Sequence, residues 1–233
     1  MKNLATQLKW QMLILTRNNI ISISFLVTFA YVAIFLGIRD LGNADKLLTL
    51  FVLNDPAIIG LFFMGVAFLI ERRQQVLSAL FVTPVDHHIY IWSRVISLSI
   101  VGLICALVMA VAAVGFNFNW LHFSLGVFGI SIICCLIGLY LACFTSEFLK
   151  LMLGSIPILL LVLNPPLLNY FEVTSFFPFN LMPIAGGIWL LDNAMKEVAS
   201  STEILMGYIS MAIWIGITYV LVYRTFMKKI VNA

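Results

Sequence analysis

The fold of this chain is decided by long stretches without charge, such as residues 18–38, which read NNIISISFLVTFAYVAIFLGI. At about 1.5 Å of rise per helical residue, a run of this length reaches roughly the 30 Å thickness of a bilayer's hydrocarbon core. We therefore expect it to cross a membrane as a helix. Further runs without Asp, Glu, Lys or Arg cover residues 56–70, 95–146, 151–171, 173–191 and 204–223.

The composition leads to the same fold class. Of the 233 residues, 63% are hydrophobic and only 10% are charged, and the mean hydropathy is +1.10. A soluble domain carries about 25% charged residues, so lipid must cover most of this surface. We predict an all-α, polytopic membrane protein that forms one transmembrane domain over residues 1–233.

The charge-free runs predict about six transmembrane helices. The run 95–146 is long enough for two of them, with a turn near Asn117–His122. The run 173–191 is broken by Pro178 and Pro183 and is not counted as a simple span. The predicted spans cover about residues 20–38, 55–70, 92–116, 122–144, 151–164 and 204–223.

The distribution of Lys and Arg predicts the orientation, because cytosolic loops carry an excess of both. With both termini in the cytosol, ten of the 13 basic residues lie on the inner side. We therefore expect a multi-pass protein of the cytoplasmic (inner) membrane. The basic residues are then topological signals and contacts to lipid headgroups, and no nucleic-acid partner is expected.

Two segments flank the first span. Leu4, Leu8, Met12 and Leu15 recur at helical spacing, which predicts a helix over residues 3–17 that lies in the cytosolic interface. After the span, the pair Asp55-Pro56 suits the start of a helix, with Asp55 as the N-cap. The alternative is that Asp55 is an intramembrane carboxylate in an ion pathway.

The stretch before the last span is unusual. Residues 164–190 open with Asn164-Pro165-Pro166, contain further prolines, and are nevertheless too apolar for a solvated loop. Broken helix is tolerated at membrane depth where it is buried in protein or lines a cavity. We therefore predict a broken outer hairpin over 164–190, followed by a polar outer loop around residues 192–203.

The third span carries small residues at four-residue intervals. Gly102, Ala106 and Ala110 share one helix face, and such faces let helix backbones approach closely. This predicts a packing face, either within one chain or against a second copy.

The segment with the most functional information follows the second span. Residues 71–85 read ERRQQVLSALFVTPV. Three charged residues end the membrane run, hydrophobic residues then recur at i, i+4 spacing, and Pro84 ends the helix. This pattern predicts a short amphipathic helix on the inner face. This helix over residues 71–85, which we call the elbow, is either a simple connection between two spans or an element on which a partner protein docks.

The same segment resembles the permease subunits of ABC transporter type-2 exporters. The shared order is an acidic residue (Glu71), a polar turn, a Leu-rich helix and then Thr83-Pro84 before the third span. The overall layout is also similar, with an interfacial N-terminal helix, six spans and a broken outer hairpin. Haem-exporter permeases of cytochrome maturation are similar in size and span number and remain an alternative.

The resemblance implies a mechanism and partners. Residues 71–84 would be a coupling helix that docks into a separate cytosolic ABC ATPase subunit, which holds the ATP and Mg. A second permease copy or a sister permease would complete the transporter, and the cargo exported would be amphipathic or hydrophobic. The implied roles are anchoring by Glu71, Arg72 and Arg73, docking by Leu77, Leu80 and Phe81, an exit angle set by Thr83 and Pro84, and an outer gate of Phe171, Phe176, Phe177 and Phe179.

Other function classes are less well supported by the residues. The chain has no Gly-x-x-x-x-Gly-Lys-[Ser/Thr] loop to hold phosphates, so we expect no ATP site in it. We also expect no catalytic residue, metal or cofactor in this chain. The adjacent His87 and His88, beside Asp86, do not share a helix face, and no Glu lies at metal-ligand spacing from them, which argues against an enzyme. The remaining rivals are a membrane subunit that anchors or senses, and an ion-coupled transporter or channel that uses Asp55, Glu172 or Asp192.

Overall fold

The computed structural model describes residues 4–38, 44–74, 86–196 and 200–231. All regular secondary structure within these ranges is helical. The α-helices are α1 (Leu4–Arg17), α2 (Ile20–Ile38), α3 (Ala44–Ile58), α4 (Met64–Arg73), α5 (His87–Val114), α6 (Trp120–Phe144), α7 (Phe148–Ile158), α8 (Pro165–Tyr170), α9 (Ala185–Met195) and α10 (Ser201–Phe226). The π-helical segments Ile59–Phe63, Leu159–Leu163 and Met227–Val231 and the 3₁₀ turn Phe177–Leu181 extend or connect them.

The prediction of about six membrane-spanning helices is confirmed, since the described residues contain six candidate spans. Each candidate span is long and apolar enough to cross a bilayer. The second span combines α3, a π segment and α4, and the fifth continues from α7 into α8. The six spans are Ile20–Gly37, Lys46–Arg73, His87–Val114, Trp120–Phe144, Phe148–Tyr170 and Ser201–Val231.

The start of the second span differs from the prediction based on Asp55-Pro56. Since α3 begins at Ala44, both residues lie inside the helix and not at its first turn. Asp55 is fully buried, and its Oδ2 accepts a hydrogen bond from Thr28 Oγ1 of α2 at 2.7 Å. The capping interpretation is therefore wrong. Proline is tolerated inside a membrane helix where local π adjustment and neighbouring helices satisfy the backbone, and the π segment Ile59–Phe63 follows directly.

Contacts between the spans define two ends of the bundle. At the elbow end, α4 meets the end of α6, since Arg72 Nη1 donates a hydrogen bond to the Thr145 carbonyl at 3.3 Å. At the hairpin end, the loop before α6 meets α9, since the Asn119 N–H donates to the Ala194 carbonyl at 2.8 Å. Gln74 and Asp86, the described residues on either side of 75–85, lie at the elbow end, and residues 165–195 form the hairpin end.

Helix α6 is the centre of the bundle. It packs against the second span, α5, α9 and α10, and 72% of its span is buried, compared with 22% for the first span and 17% for the sixth. Glycines allow α6 to approach the second span closely. A Cβ on Gly138 would clash with the carbonyl oxygen of Leu61 and would lie 3.0 Å from that of Gly60, both in the π segment of the second span. The backbones therefore approach more closely here than any side chain permits.

The hairpin end is more helical than the sequence predicts. The fifth span continues through Pro165 and Pro166, which occupy the first turn of α8. The polar outer loop predicted around residues 192–203 is shorter than predicted, because Asp192 lies in α9 and Glu203 in the first turn of α10. Asn193 links the two helices, since its Nδ2 donates to Glu203 Oε2 at 2.9 Å. Hydrogen bonds between polar residues of α9 and α10 allow both helices to continue into a stretch whose polarity suggested a loop.

We predict that Gly138→Ala destabilises the chain, because the added methyl group would press on backbone carbonyls that cannot rotate away. Overpacking of this kind costs about 1–3 kcal/mol. The measurement is the thermal unfolding of the purified protein in detergent.

The matched control is Gly154→Ala in α7, where no atom lies within 4 Å of the added Cβ. Alanine favours a helix over glycine by about 1 kcal/mol, so this variant should be as stable as the parent or more so. Equal unfolding temperatures for Gly138→Ala and the parent would contradict the close crossing.

Candidate functional site

A buried ion pair joins the second and third spans at the elbow end. Glu71 lies in the last turns of α4 and is 6% exposed, while Arg94 lies two turns into α5 and is 2% exposed. Arg94 Nη1 donates to Glu71 Oε2, and the Tyr90 hydroxyl donates to the same oxygen at 2.8 Å. We call Glu71, Tyr90 and Arg94 the ion-pair cluster. It links the helices on both sides of the predicted coupling segment.

Aromatic rings enclose this cluster and join it to the last span. The Arg94 guanidinium lies 5.8 Å from the ring centroid of Phe68 and 5.7 Å from that of Tyr90. Phe226, at the end of α10, packs 6.1 Å from Phe68 and 5.9 Å from Tyr90. Exclusion of water strengthens the attraction between the charges and makes a lone charge costly there. The second, third and sixth spans therefore meet at one polar point.

The three charged residues predicted as anchors have different environments. Glu71 is buried, whereas Arg72 and Arg73 are exposed. Through its bond to the Thr145 carbonyl, Arg72 places a cation at the C-terminus of α6, where the helix dipole favours positive charge. The remaining coupling residues, Leu77, Leu80, Phe81, Thr83 and Pro84, lie outside the described residues. Their roles stay predictions.

Local hydrogen bonds define the helix ends on both sides of residues 75–85. On one side, the Gln74 N–H donates to the Ile70 carbonyl at 3.0 Å and closes α4. On the other side, the Asp86 carboxylate caps α5 by accepting the His88 N–H at 3.0 Å. Since the ion-pair cluster joins α4 to α5 just inside these points, residues 75–85 connect two helices that are tied to each other.

Sequence reasoning counted Arg94 only as a topological charge and did not identify Tyr90. The signal that could have found the cluster is a lone arginine inside an apolar span, because such a charge must find a partner. The identity of that partner depends on how α4 and α5 pack. No periodicity within either helix reveals it.

The histidines beside the elbow take part in an aromatic stack. His88 stacks on Tyr223 of α10 with ring centroids 4.2 Å apart, and its Nδ1 pairs with the Tyr219 hydroxyl. Trp92 stacks on Tyr219 at 5.0 Å. Among the residues that the structure describes, no group of His, Cys, Asp or Glu is arranged to hold a metal ion.

The three carboxylates named for an ion-coupled transporter have separate partners. Asp55 binds Thr28 inside the membrane region. Glu172 forms an ion pair with Lys46 at 2.8 Å, and this pairing holds the pKa of the exposed Glu172 below its usual value. Asp192 pairs with Lys196 and raises the pKa of that lysine, and it also accepts a hydrogen bond from Tyr170 at 3.1 Å.

The predicted packing face of α5 is buried within the chain. Gly102, Ala106 and Ala110 are all buried. Ala106 and Ala110 belong to an apolar cluster with Leu48 and Val52 of α3. Their position shows that the small side chains allow packing inside one copy.

One asparagine organises the hairpin end. The Asn169 Nδ2 donates to the Phe176 carbonyl at 2.8 Å and to Asn180 Oδ1 at 3.1 Å. Its Oδ1 accepts from Thr174 Oγ1 at 2.9 Å and from the Phe176 N–H at 3.2 Å. A single side chain thus ties α8 to the turn and to the 3₁₀ segment. Sequence reasoning did not select Asn169.

The four phenylalanines predicted as an outer gate do not form one cluster. Phe171 packs against Tyr170 and the core, with ring centroids 5.7 Å apart. Phe176 and Phe179 form an edge-to-face pair at 5.1 Å, and Phe177 is 71% exposed. The gate remains a prediction.

Comparisons with known proteins identify relatives over most of the chain. The sequence model of the Fluoroquinolones export permease protein family matches residues 2–233. The fluoroquinolones export permease proteins of Mycobacterium tuberculosis strains CDC 1551 / Oshkosh and ATCC 25618 / H37Rv are each 24% identical to this chain over 148 residues. That stretch covers 64% of this chain and 62% of each relative, so the chain matches less than two thirds of their length. No solved structure matches the chain.

We predict that removing one charge of the ion-pair cluster destabilises the chain much more than removing a surface charge. Arg94→Gln leaves the Glu71 carboxylate buried without its counter-charge, which costs about 3–5 kcal/mol. The measurement is the unfolding temperature in detergent, together with the amount of protein recovered from membranes.

The control is Glu147→Gln, which removes an exposed ion pair with Lys150 on α7. Exposed pairs contribute about 0–1 kcal/mol. The double variant Glu71→Gln/Arg94→Gln should recover part of the loss, because no uncompensated charge remains. If Arg94→Gln were as harmless as Glu147→Gln, the buried pair would not hold the two spans together.

Proposed function

Because this chain belongs to the Fluoroquinolones export permease protein family, we propose that it is the membrane-spanning permease subunit of an ABC-type exporter. In this proposal a separate ATPase subunit binds ATP and Mg and docks on residues 71–84. The chain lies in the cytoplasmic membrane with both termini in the cytosol, so that the elbow end is the cytosolic end.

The ion-pair cluster is the observation that carries this proposal. A docking segment can transmit motion only if the helices on both sides of it move with it. The buried Glu71–Arg94 pair ties the end of α4 to the start of α5, and separating two buried charges costs several kcal/mol. A partner that displaces residues 75–85 would therefore move the second and third spans together.

The bundle's packing supports transport by two copies. Two apolar clusters around α5 and α6 fill the middle of one chain, which makes a path through a single bundle unfavourable. The broad apolar faces of α2, α7 and α10 are open to lipid or to another membrane helix. We place the cargo path at the interface with a second permease copy or a sister permease.

The cargo is an amphipathic compound, and a fluoroquinolone is the first candidate, since the named relatives export fluoroquinolones according to their names. The predicted gate residues Phe171, Phe176, Phe177 and Phe179 lie at the hairpin end. That end would be the outer, releasing face.

We expect Leu80→Asp to abolish binding of the ATPase subunit, because moving a carboxylate from water into an apolar interface costs a large amount of free energy. The measurement is the amount of ATPase subunit, identified by its phosphate-binding loop, that co-purifies with the tagged chain from native membranes. Val173→Asp is the matched control, because Val173 is 69% exposed at the hairpin end. Full binding by Leu80→Asp would contradict the assignment of the coupling segment.

The buried Asp55 favours a second candidate, an ion-coupled transporter, because intramembrane carboxylates often belong to ion pathways. For an ATP-driven exporter we expect Asp55→Asn to retain transport, since the new amide oxygen still accepts the Thr28 hydroxyl. Fluoroquinolone accumulation in inverted vesicles should then require ATP. Uptake by the purified chain alone in an ion gradient, lost in Asp55→Asn, would establish the rival instead.

A further inference from the structure

A polar cavity lies between α8, the 3₁₀ segment and α9. Its volume is about 660 Å³, within the range of about 300–1,000 Å³ that is usual for small-molecule sites. Its lining combines polar side chains with apolar ones, among them Val173, Ile188 and Trp189. The polar side chains are Asn169, Tyr170, Glu172, Thr174, Ser175 and Asn180.

An apolar cavity of about 640 Å³ runs along α10. It extends from Met206 to Ile217, which is about 16 Å of helix rise and about half of a bilayer's hydrocarbon thickness. Trp214 and Leu181 form part of its wall. A molecule in this cavity would lie at the depth of one lipid leaflet.

The two cavities are adjacent, because Phe177, Asn180 and Trp189 line both of them. A single molecule that passes between these three side chains would place its apolar body along α10 and its polar end in the polar cavity. The shared residues include two aromatic rings and one amide, so the junction itself is amphipathic.

The walls at this junction are held in place by the protein's own bonds. The Trp214 Nε1–H donates to the Leu181 carbonyl at 2.9 Å and ties the 3₁₀ segment to α10. The backbones of α9 and α10 touch at Gly186, where a Cβ would lie 2.6 Å from the Gly207 carbonyl. Preformed walls reduce the entropy that a ligand must lose on binding.

The lining residues indicate the chemistry of the ligand. Phe177, Trp189 and Trp214 offer ring faces, which suit a flat aromatic body. Glu172 carries a charge in the polar cavity, and Lys46 neutralises it at 2.8 Å. A polar end with no net charge, either uncharged or zwitterionic, therefore fits better than a cation or an anion.

We propose that the two cavities form one binding site at the hairpin end, in which a flat amphipathic molecule of no net charge lies before its release. This inference rests on the proposed export function, because it takes the exported compound to be the occupant. It places that compound against α10 and α9 of one copy, in addition to the path between two copies.

The test measures equilibrium binding of a radiolabelled fluoroquinolone to the purified chain in phosphatidylcholine nanodiscs, without ATP. Ile213→Trp fills the apolar cavity and should weaken binding at least about tenfold, equal to about 1.4 kcal/mol. Leu205→Trp is the matched control, because Leu205 is 62% exposed on the same helix and does not line the cavity. It should leave the affinity within about twofold of the parent.

A second variant tests the polar end independently. Asn180→Leu removes the amide that both cavities share and should weaken binding of the same probe, whereas Leu205→Trp should not. Unchanged affinity in both Ile213→Trp and Asn180→Leu would overturn the site. If ATP-driven transport by these variants were also unchanged, the result would contradict the proposed binding site and would agree with the proposed export function.

Native mass spectrometry distinguishes the exported compound from a bilayer lipid. We expect the fluoroquinolone to displace any phospholipid that co-purifies with the parent chain and is absent from Ile213→Trp. If Ile213→Trp loses a phospholipid yet binds the fluoroquinolone as the parent does, a lipid occupies the cavities and the proposal is wrong.

Discussion

The buried ion pair between Glu71 and Arg94 is the interaction on which the elbow end depends. Two charges are removed from water there, so each requires the other, and Tyr90 and the surrounding rings complete the environment. A buried pair of this kind adds little net stability compared with an apolar contact of equal volume, but separating its members is expensive. It therefore specifies an arrangement in which the end of α4 and the start of α5 lie side by side at the elbow. If a partner moves the protein at this elbow, as we propose, a fixed arrangement of two spans matters more than extra stability.

The rest of the bundle is held by a different kind of contact. In lipid, apolar side chains gain little by leaving the hydrocarbon, so close packing and polar contacts decide which helices associate. The Gly138 crossing and the Gly186 approach to α10 are examples of close packing. The hydrogen bonds of Asn169 and the pair of Asn193 with Glu203 are examples of polar contacts, and they concentrate at the hairpin end. The α6 centre is thus closely packed, while the hairpin end keeps cavities whose walls are hydrogen-bonded.

Sequence reasoning succeeded where a single physical rule applies along the chain. The six spans follow from charge-free length, because a charge inside hydrocarbon is costly wherever it occurs. It failed at Asp55-Pro56, where a rule for helix starts in water was applied to residues that α3 buries within the membrane region. It also overestimated the length of the loop around residues 192–203, because hydrogen bonds across the α9–α10 junction satisfy the helical residues Asn193 and Glu203. In both cases a neighbouring helix supplies the hydrogen-bond partner of a polar side chain, and the sequence of its own segment does not show that partner.

The sequence alone thus determined that this is an all-helical membrane protein with six spans, and it marked residues 71–85 as the segment with an unusual pattern. These features depend on local length, charge and periodicity, which each segment carries by itself. The tertiary structure alone decided that Arg94 and not solvent is the partner of Glu71, that Thr28 is the partner of Asp55, and that the small face of α5 packs inside the chain. Partners of this kind are brought together only when helices distant in sequence pack, and no pattern within one helix records which neighbour it will meet.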